Sequence, residues 1–236
     1  DCFQAIDADH SFYLDESARR QTACFGTMSE TTLQMLVRRA FAYADGPVSF
    51  AFQGGEPLLA GKAFYRRVLA LQKQYNTRRL PVTNALQTNG TLLDEEWAEL
   101  FAEGQFLVGI SLDGPASLHD RYRVDTAGAA THARALQGAE LLKKHGVPYN
   151  ILCVVTQQIA AAPDTVFDAL APHGYLQFIP CLDALDGQPG EFSLQPEAYG
   201  QFLVRTFGRY EDAWRSGRPV SIRAFDNWVG MLLGQP

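Results

Sequence analysis

The stretch FAFQGGEPLL, Phe50 to Leu59, ends an apolar run with an amide at Gln53 and two bare positions at Gly54 and Gly55. A carboxylate at Glu56 and a fixed bend at Pro57 follow. Three later apolar runs also end in polar groups: Gln87, Thr88 and Asn89; then Ser111, Asp113 and Gly114; then Thr156 and Gln157. Nearly all of these are uncharged hydrogen-bonding groups. A glycosidase would need two carboxylates at defined separation, and a metallohydrolase a converging His–Asp/Glu ligand set. The pattern supplies neither. It suits a polar organic ligand held through many neutral contacts.

Each stretch also has a plainer reading. Gly54-Gly55 makes a tight turn, and Pro57 suits the first position of a helix. Asn89-Gly90 is a turn dipeptide, Asp113 can cap a turn, and HDRYR (119–123) can be a solvated charged face. Their shared position, at the ends of successive strands, argues for reading them together.

The elements that carry them alternate. Strand-like runs at 47–53, 80–88, 106–113, 148–156 and 176–181 are separated by helical patterns near 60–75, 130–145 and 163–171. The run LLDEEWAELFAEG adds a further helix, with Asp94 as N-cap and Gly104 as its stop. The helix near 130–145 ends KKHG, with basic residues and a glycine where a C-terminus favours them. The strands read as apolar on both faces, as in a parallel sheet covered by helices. Alternation of this kind means repeated βα units and an α/β fold. It predicts an open or partial (β/α) barrel, with chemistry at the C-terminal strand ends. A doubly wound sheet stays open as the alternative. After a loop at 182–193, a helix over about 196–216, a short strand and a last helix are expected.

Composition bounds the function. The 236 residues are 47% hydrophobic and 19% charged, ordinary for a globular chain with a sizeable core. A net charge of -6 without a basic cluster gives no footprint for nucleic acid. No apolar run approaches the roughly 20 residues of a membrane span. With no signal-peptide pattern, the expectation is a fragment of a cytoplasmic protein. The four cysteines, Cys2, Cys24, Cys153 and Cys181, lack the spacing of a zinc knuckle or a redox CxxC. Cys153, inside YNILCVV, reads as a buried inert thiol.

Taken together, FAFQGGEPLL, LQTNGTLLDEEW, FLVGISLDGPASLHDRYR, NILCVVT and LQFIPCLDAL resemble the radical S-adenosylmethionine (SAM) enzymes. More narrowly, they are similar to the anaerobic sulfatase-maturating enzymes, from about Phe12 nearly to the end of the chain. The resemblance implies a partial (β/α)6 TIM-like barrel over 1–182 and a helical extension at 183–236, leading toward a cysteine-rich auxiliary-cluster domain. It implies SAM bound at the open iron of a [4Fe-4S] cluster held by three cysteines. Reductive cleavage of SAM then gives a 5'-deoxyadenosyl radical that oxidises a Cys or Ser of a sulfatase to formylglycine. Gly54, Gly55, Glu56 and Pro57 would receive the methionine end of SAM, and Ser111 and Arg123 would also contact SAM. Tyr13 and Gln53 would face the substrate peptide, and Gln87 and Asn89 would lie near the adenosine or the peptide. The implied partners are a sulfatase polypeptide and an electron donor such as flavodoxin or ferredoxin.

Two features depart from the family. Its CxxxCxxC motif should precede Phe12-Tyr13, yet the chain reads DCFQAIDADHSFYLD, with no cysteine between Ile6 and Phe12. Single cysteines before Asp7, His10 and Phe12 would restore the spacing as C-DAD-C-HS-C-FYLD. The cysteine-rich domain that carries the family's general base is also not in the sequence, and Asp226 in FDNW does not match that base's context. The alternatives are a related peptide-modifying radical SAM enzyme, forming thioethers or other crosslinks, and a SAM- or peptide-binding relative without a cluster.

Overall fold

Short β-branched and aromatic runs bounded by Gly, Pro and Asn form the strands, and stretches with helical spacing of apolar residues form the helices. The computed structural model describes residues 28–182, 190 and 192–234. The strands are β1 (Val48–Phe52), β2 (Val82–Thr88), β3 (Phe106–Ser111), β4 (Tyr149–Val155), β5 (Tyr175–Pro180) and β6 (Ser221–Ile222). The helices are α1 (Glu30–Tyr43), α2 (Lys62–Tyr75), α3 (Glu95–Glu103), α4 (Ala116–His119), α5 (His132–Lys144), α6 (Gln157–Ala160), α7 (Pro163–Leu170), α8 (Pro196–Arg215) and α9 (Arg223–Leu232). Asp94 caps α3 by accepting from the Trp97 amide at 2.9 Å. Gly146, at φ 68°, follows the end of α5, as the KKHG signal predicts.

The strands stand in the order β1-β2-β3-β4-β5-β6. That order decides between the two architectures left open by the sequence. A doubly wound sheet reverses its strand order at a switch point. Strands in sequential order, joined by right-handed crossovers, keep their helices on one face, as in a barrel.

The same topology corrects one expectation. Two-sided burial does not hold, because β1 alternates: Val48 and Phe50 are buried while Ser49 and Ala51 are exposed. On the open side of β1 and β2 the Ser49 and Thr83 hydroxyls share a 2.7 Å hydrogen bond.

The residues form two compact units. In the first (28–88, 92–108 and 141–148), Leu33, Val37 and Phe41 of α1 and Val68 and Leu71 of α2 pack on Val48 and Phe50. Tyr65 meets Phe52 edge-on at 5.2 Å, and Trp97 stacks on Phe101 at 5.4 Å. Truncating a fully buried aromatic such as Phe101 to alanine costs about 3–5 kcal/mol. In the second (89–91, 109–140 and 149–234), β4 and β5 pair in parallel, with Ile151 opposite Leu176 and Cys153 opposite Phe178. Phe202 of α8 meets Phe178 at 5.1 Å, and Arg205 and Arg209 of α8 clamp Asp164 of α7 at 3.0 Å.

Candidate functional site

In the first unit the chain leaves β1 through Gln53 and makes two consecutive left-handed residues, Gly54 at φ 101° and Gly55 at φ 54°. Such backbone strains any side-chain-bearing residue, which explains the bare pair. A single 3-10 turn follows at Pro57–Ala60, with Pro57 at its start. Glu56 caps it, Oε1 accepting from the Leu58 amide at 3.1 Å. The helix-start reading of Glu56-Pro57 is therefore what the chain does. The same oxygen accepts from the Thr88 hydroxyl at 2.7 Å. Thr88 is 2% exposed, and the bond ties the loop after β1 to the end of β2. Tyr65 of α2 donates to the Pro57 carbonyl at 3.0 Å and holds the turn from behind. The loop is thus held at three points, two on the Glu56 carboxylate and one on the Pro57 carbonyl.

The β1–β2 register pairs Ala51 with Ala85 and Phe52 with Leu86. Gln53 is the first residue after β1, and continuing that register by one step aligns it with Gln87. Because Asn84 and Leu86 are buried, Gln87 shares the open face with Thr83 and Ala85.

In the second unit, Asn89 is a turn former: its Oδ1 accepts from the Thr91 amide at 2.9 Å and from the Thr91 hydroxyl at 2.8 Å. Gly90, at φ 75°, sits where a Cβ would meet Ile110 Cγ2 at 3.1 Å. Ser111 ends β3 on the face opposite the fully buried Ile110.

Asp113 and HDRYR depart from their plainer readings. Asp113 caps no turn; its Oδ1 accepts from the Val154 amide at 2.8 Å, while Oδ2 takes Arg123 Nε. HDRYR is not a solvated face either. His119 is 1% exposed, and its Nδ1 accepts from the Asp113 amide at 3.1 Å. Arg123 binds Asp113 side-on, Nη2 reaching Oδ1 at 3.4 Å, and among the described residues Nη1 has no partner. A guanidinium gripped along its Nε side keeps a second donor edge for an incoming carboxylate.

Burial pushes the His119 imidazole down to about 4; Asp113 and Asp120 favour its cation, while Arg123 and His132 oppose it. Burial, followed by the negative Asp113 nearby, pushes the Cys153 thiol far above its usual range. Cys153 is therefore the inert thiol expected of it.

Among the described residues no group of His, Cys, Asp or Glu is placed to hold a metal ion. The described free cysteines are Cys153 and Cys181, and these do not make the three-thiolate set of an iron–sulfur cluster. Cys2, His10, Tyr13, Cys24 and the stretch between Ile6 and Phe12 lie outside the described residues. Among the described residues no helix is long and apolar enough to cross a membrane.

No role for Tyr65 or Thr131 is legible in the sequence, where Thr88 stands only as part of a polar strand end and His119 only as part of HDRYR. Their partners lie between six and 32 residues away, at spacings that no local motif prescribes.

Comparison with known proteins agrees with this geometry. The model of the radical SAM superfamily matches residues 18–167. A cysteine-type anaerobic sulfatase-maturating enzyme of Clostridium perfringens (strain 13 / Type A) is 41% identical over 232 residues, covering 97% of this chain and 63% of that protein. A serine-type enzyme of Klebsiella aerogenes is 36% identical over 207 residues, covering 86% of this chain and 51% of that protein. The chain thus spans less than two thirds of the length of these relatives. Among solved structures, native anSMEcpe with bound AdoMet superposes with a TM-score of 0.86 at 42% identity, covering 89% of this chain and 59% of that one. Coproporphyrinogen III oxidase from Escherichia coli shares only the fold, with a TM-score of 0.57 at 13% identity over 77% of this chain and 44% of that one.

Proposed function

Since this chain belongs to the radical SAM superfamily, we propose that it is the SAM-binding part of an anaerobic sulfatase-maturating enzyme. Such an enzyme oxidises a Cys or Ser of a sulfatase polypeptide to formylglycine. The observation that carries the reading is the match, at 42% identity and a TM-score of 0.86, to a structure that holds AdoMet.

Gly54 and Gly55 bring backbone polar groups to the methionine ammonium, and Glu56 complements its charge. Pro57 fixes the bend, while Thr88 and Tyr65 steady it. Arg123 offers its outer edge to the methionine carboxylate, with Ser111 as a second SAM contact. Asn89 shapes the loop toward the adenosine. Gln53 and Gln87, at the ends of β1 and β2, turn to the peptide, with Tyr13 as a third contact. SAM, when bound, supplies the hydrogen abstraction that begins the oxidation. The described residues do not form the cluster's ligand set. Residues 1–182 are assigned to the barrel and 183–236 to the extension toward a cysteine-rich domain. The partners are a sulfatase polypeptide and a flavodoxin- or ferredoxin-type reductant, in the cytoplasm.

The test is anaerobic incubation of the chain with SAM, reductant and a CxPxR-type sulfatase peptide. A peptide mass loss consistent with the aldehyde, together with 5'-deoxyadenosine, supports the reading. SAM cleavage to 5'-deoxyadenosine with an unchanged peptide, measured with this chain joined to a cysteine-rich domain of the family, removes the maturase assignment. Iron and sulfide analysis reads the cluster separately: about four of each per chain supports it, and none removes the radical chemistry.

A further inference from the structure

The Asp113–Arg123 pair closes a ring of hydrogen bonds that the proposed reaction does not by itself require. Arg123 Nε binds Asp113 Oδ2. The Asp113 amide donates to His119 Nδ1 at 3.1 Å. His119 Nε2 meets the Thr131 hydroxyl at 3.1 Å, and that hydroxyl donates to the Arg123 carbonyl at 2.5 Å. The directions fix one another. Nδ1 accepts from an amide, so the ring proton sits on Nε2, and Thr131 takes it while giving its own hydrogen to Arg123. Thr131 reaches Arg123 across a small hairpin, in which Val124 bridges Ala130 and the Asp125 amide donates to the Ala129 carbonyl at 2.9 Å. Asp120 Oδ1 secures the far side, accepting from the Thr131 and His132 amides at 2.9 and 2.8 Å.

We infer that His119 and Thr131 are positioning residues for ligand recognition: they lock both the backbone and the side chain of Arg123, so that its outer guanidinium edge faces a carboxylate-bearing ligand. A long arginine side chain otherwise loses considerable rotamer freedom on binding. Here one end of the residue is fixed through Thr131 and the other through Asp113, and His119 joins the two. The inference rests on the reading of Arg123 as the contact for the SAM carboxylate.

The experiment measures equilibrium binding of SAM and of decarboxylated SAM, which keeps the ammonium, sulfonium and adenosine but lacks the carboxylate, to the full chain and its variants. Thr131→Val removes the hydroxyl at nearly constant volume, Thr131→Ser restores it, and His119→Asn keeps the acceptor for Asp113 but cuts the link to Thr131. Thr131→Val and His119→Asn are expected to weaken SAM about fivefold to twentyfold, the effect of one supporting hydrogen bond. Decarboxylated SAM should stay within about twofold and Thr131→Ser should stay close to wild type, since neither loses that bond. A structural role alone would weaken both ligands alike, and that result overturns the inference, as does full retention of the SAM preference in both variants. Wild-type chain that binds the two ligands equally overturns the carboxylate reading of Arg123 itself, and the inference with it.

Discussion

The buried His119 makes acid stability the sharpest physical test of the second unit. The imidazole titrates at about 4 in the folded chain against 6.5 when exposed, chiefly because of burial. As pH falls through 6.5 the unfolded chain takes up a proton that the folded chain refuses until about 4. The His119 contribution is therefore undiminished above 6.5 and is lost between 6.5 and 4. From about pH 7.5 to about pH 5 the linkage corresponds to about 2 kcal/mol, and solvent screening trims this to about 1–2 kcal/mol. The structure adds the reason the cation is refused: a proton on Nδ1 would oppose the Asp113 amide that points at it. Urea unfolding of wild type and His119→Asn at the two pH values isolates the effect, because carboxylates that titrate in the same range are common to both proteins. The wild type should lose about 1–2 kcal/mol more than the variant. Equal losses in the two proteins would refute the neutral, amide-bound histidine.

Three further outcomes follow from the site. Arg123→Lys cannot reproduce the side-on grip on Asp113, so SAM affinity should fall about tenfold to a hundredfold in equilibrium dialysis. Thr88→Val removes the donor to Glu56 at nearly constant volume and should cost about 1 kcal/mol in SAM binding by calorimetry. Tyr65→Phe takes the hydroxyl from the Pro57 carbonyl and should lower unfolding stability by about 1–2 kcal/mol in urea titration.

Much of the fold was legible because its signals are local. Asp94 caps α3 as its residue type favours, and KKHG ends α5, while past Gly104 (φ -81°) the left-handed turn falls on Gln105 at φ 51°. The bare Gly54-Gly55 pair announced a backbone that side chains cannot follow, and the structure finds it at φ 101° and 54°. Asp113 and HDRYR were misjudged by their plainer readings for the opposite reason. A charged residue in a loop is indistinguishable in sequence from one whose partner lies ten residues away on another element, as Arg123 does from Asp113. The open face of β1 was hidden too, since Ser49 and Ala51 do not reveal which side a helix will cover.

Residue order was enough for the alternation of strands and helices, the Asp94 cap, the glycine turn after β1 and the family resemblance carried by the strand ends. These depend on residue types at short spacing, where backbone sterics and hydrogen-bond chemistry act directly. The folded chain settled the strand order, the grip of Thr88 on Glu56 and the ring through Asp113, His119, Thr131 and Arg123. Those contacts exist only when packing brings distant segments within hydrogen-bond reach, and their energies depend on the burial that packing creates.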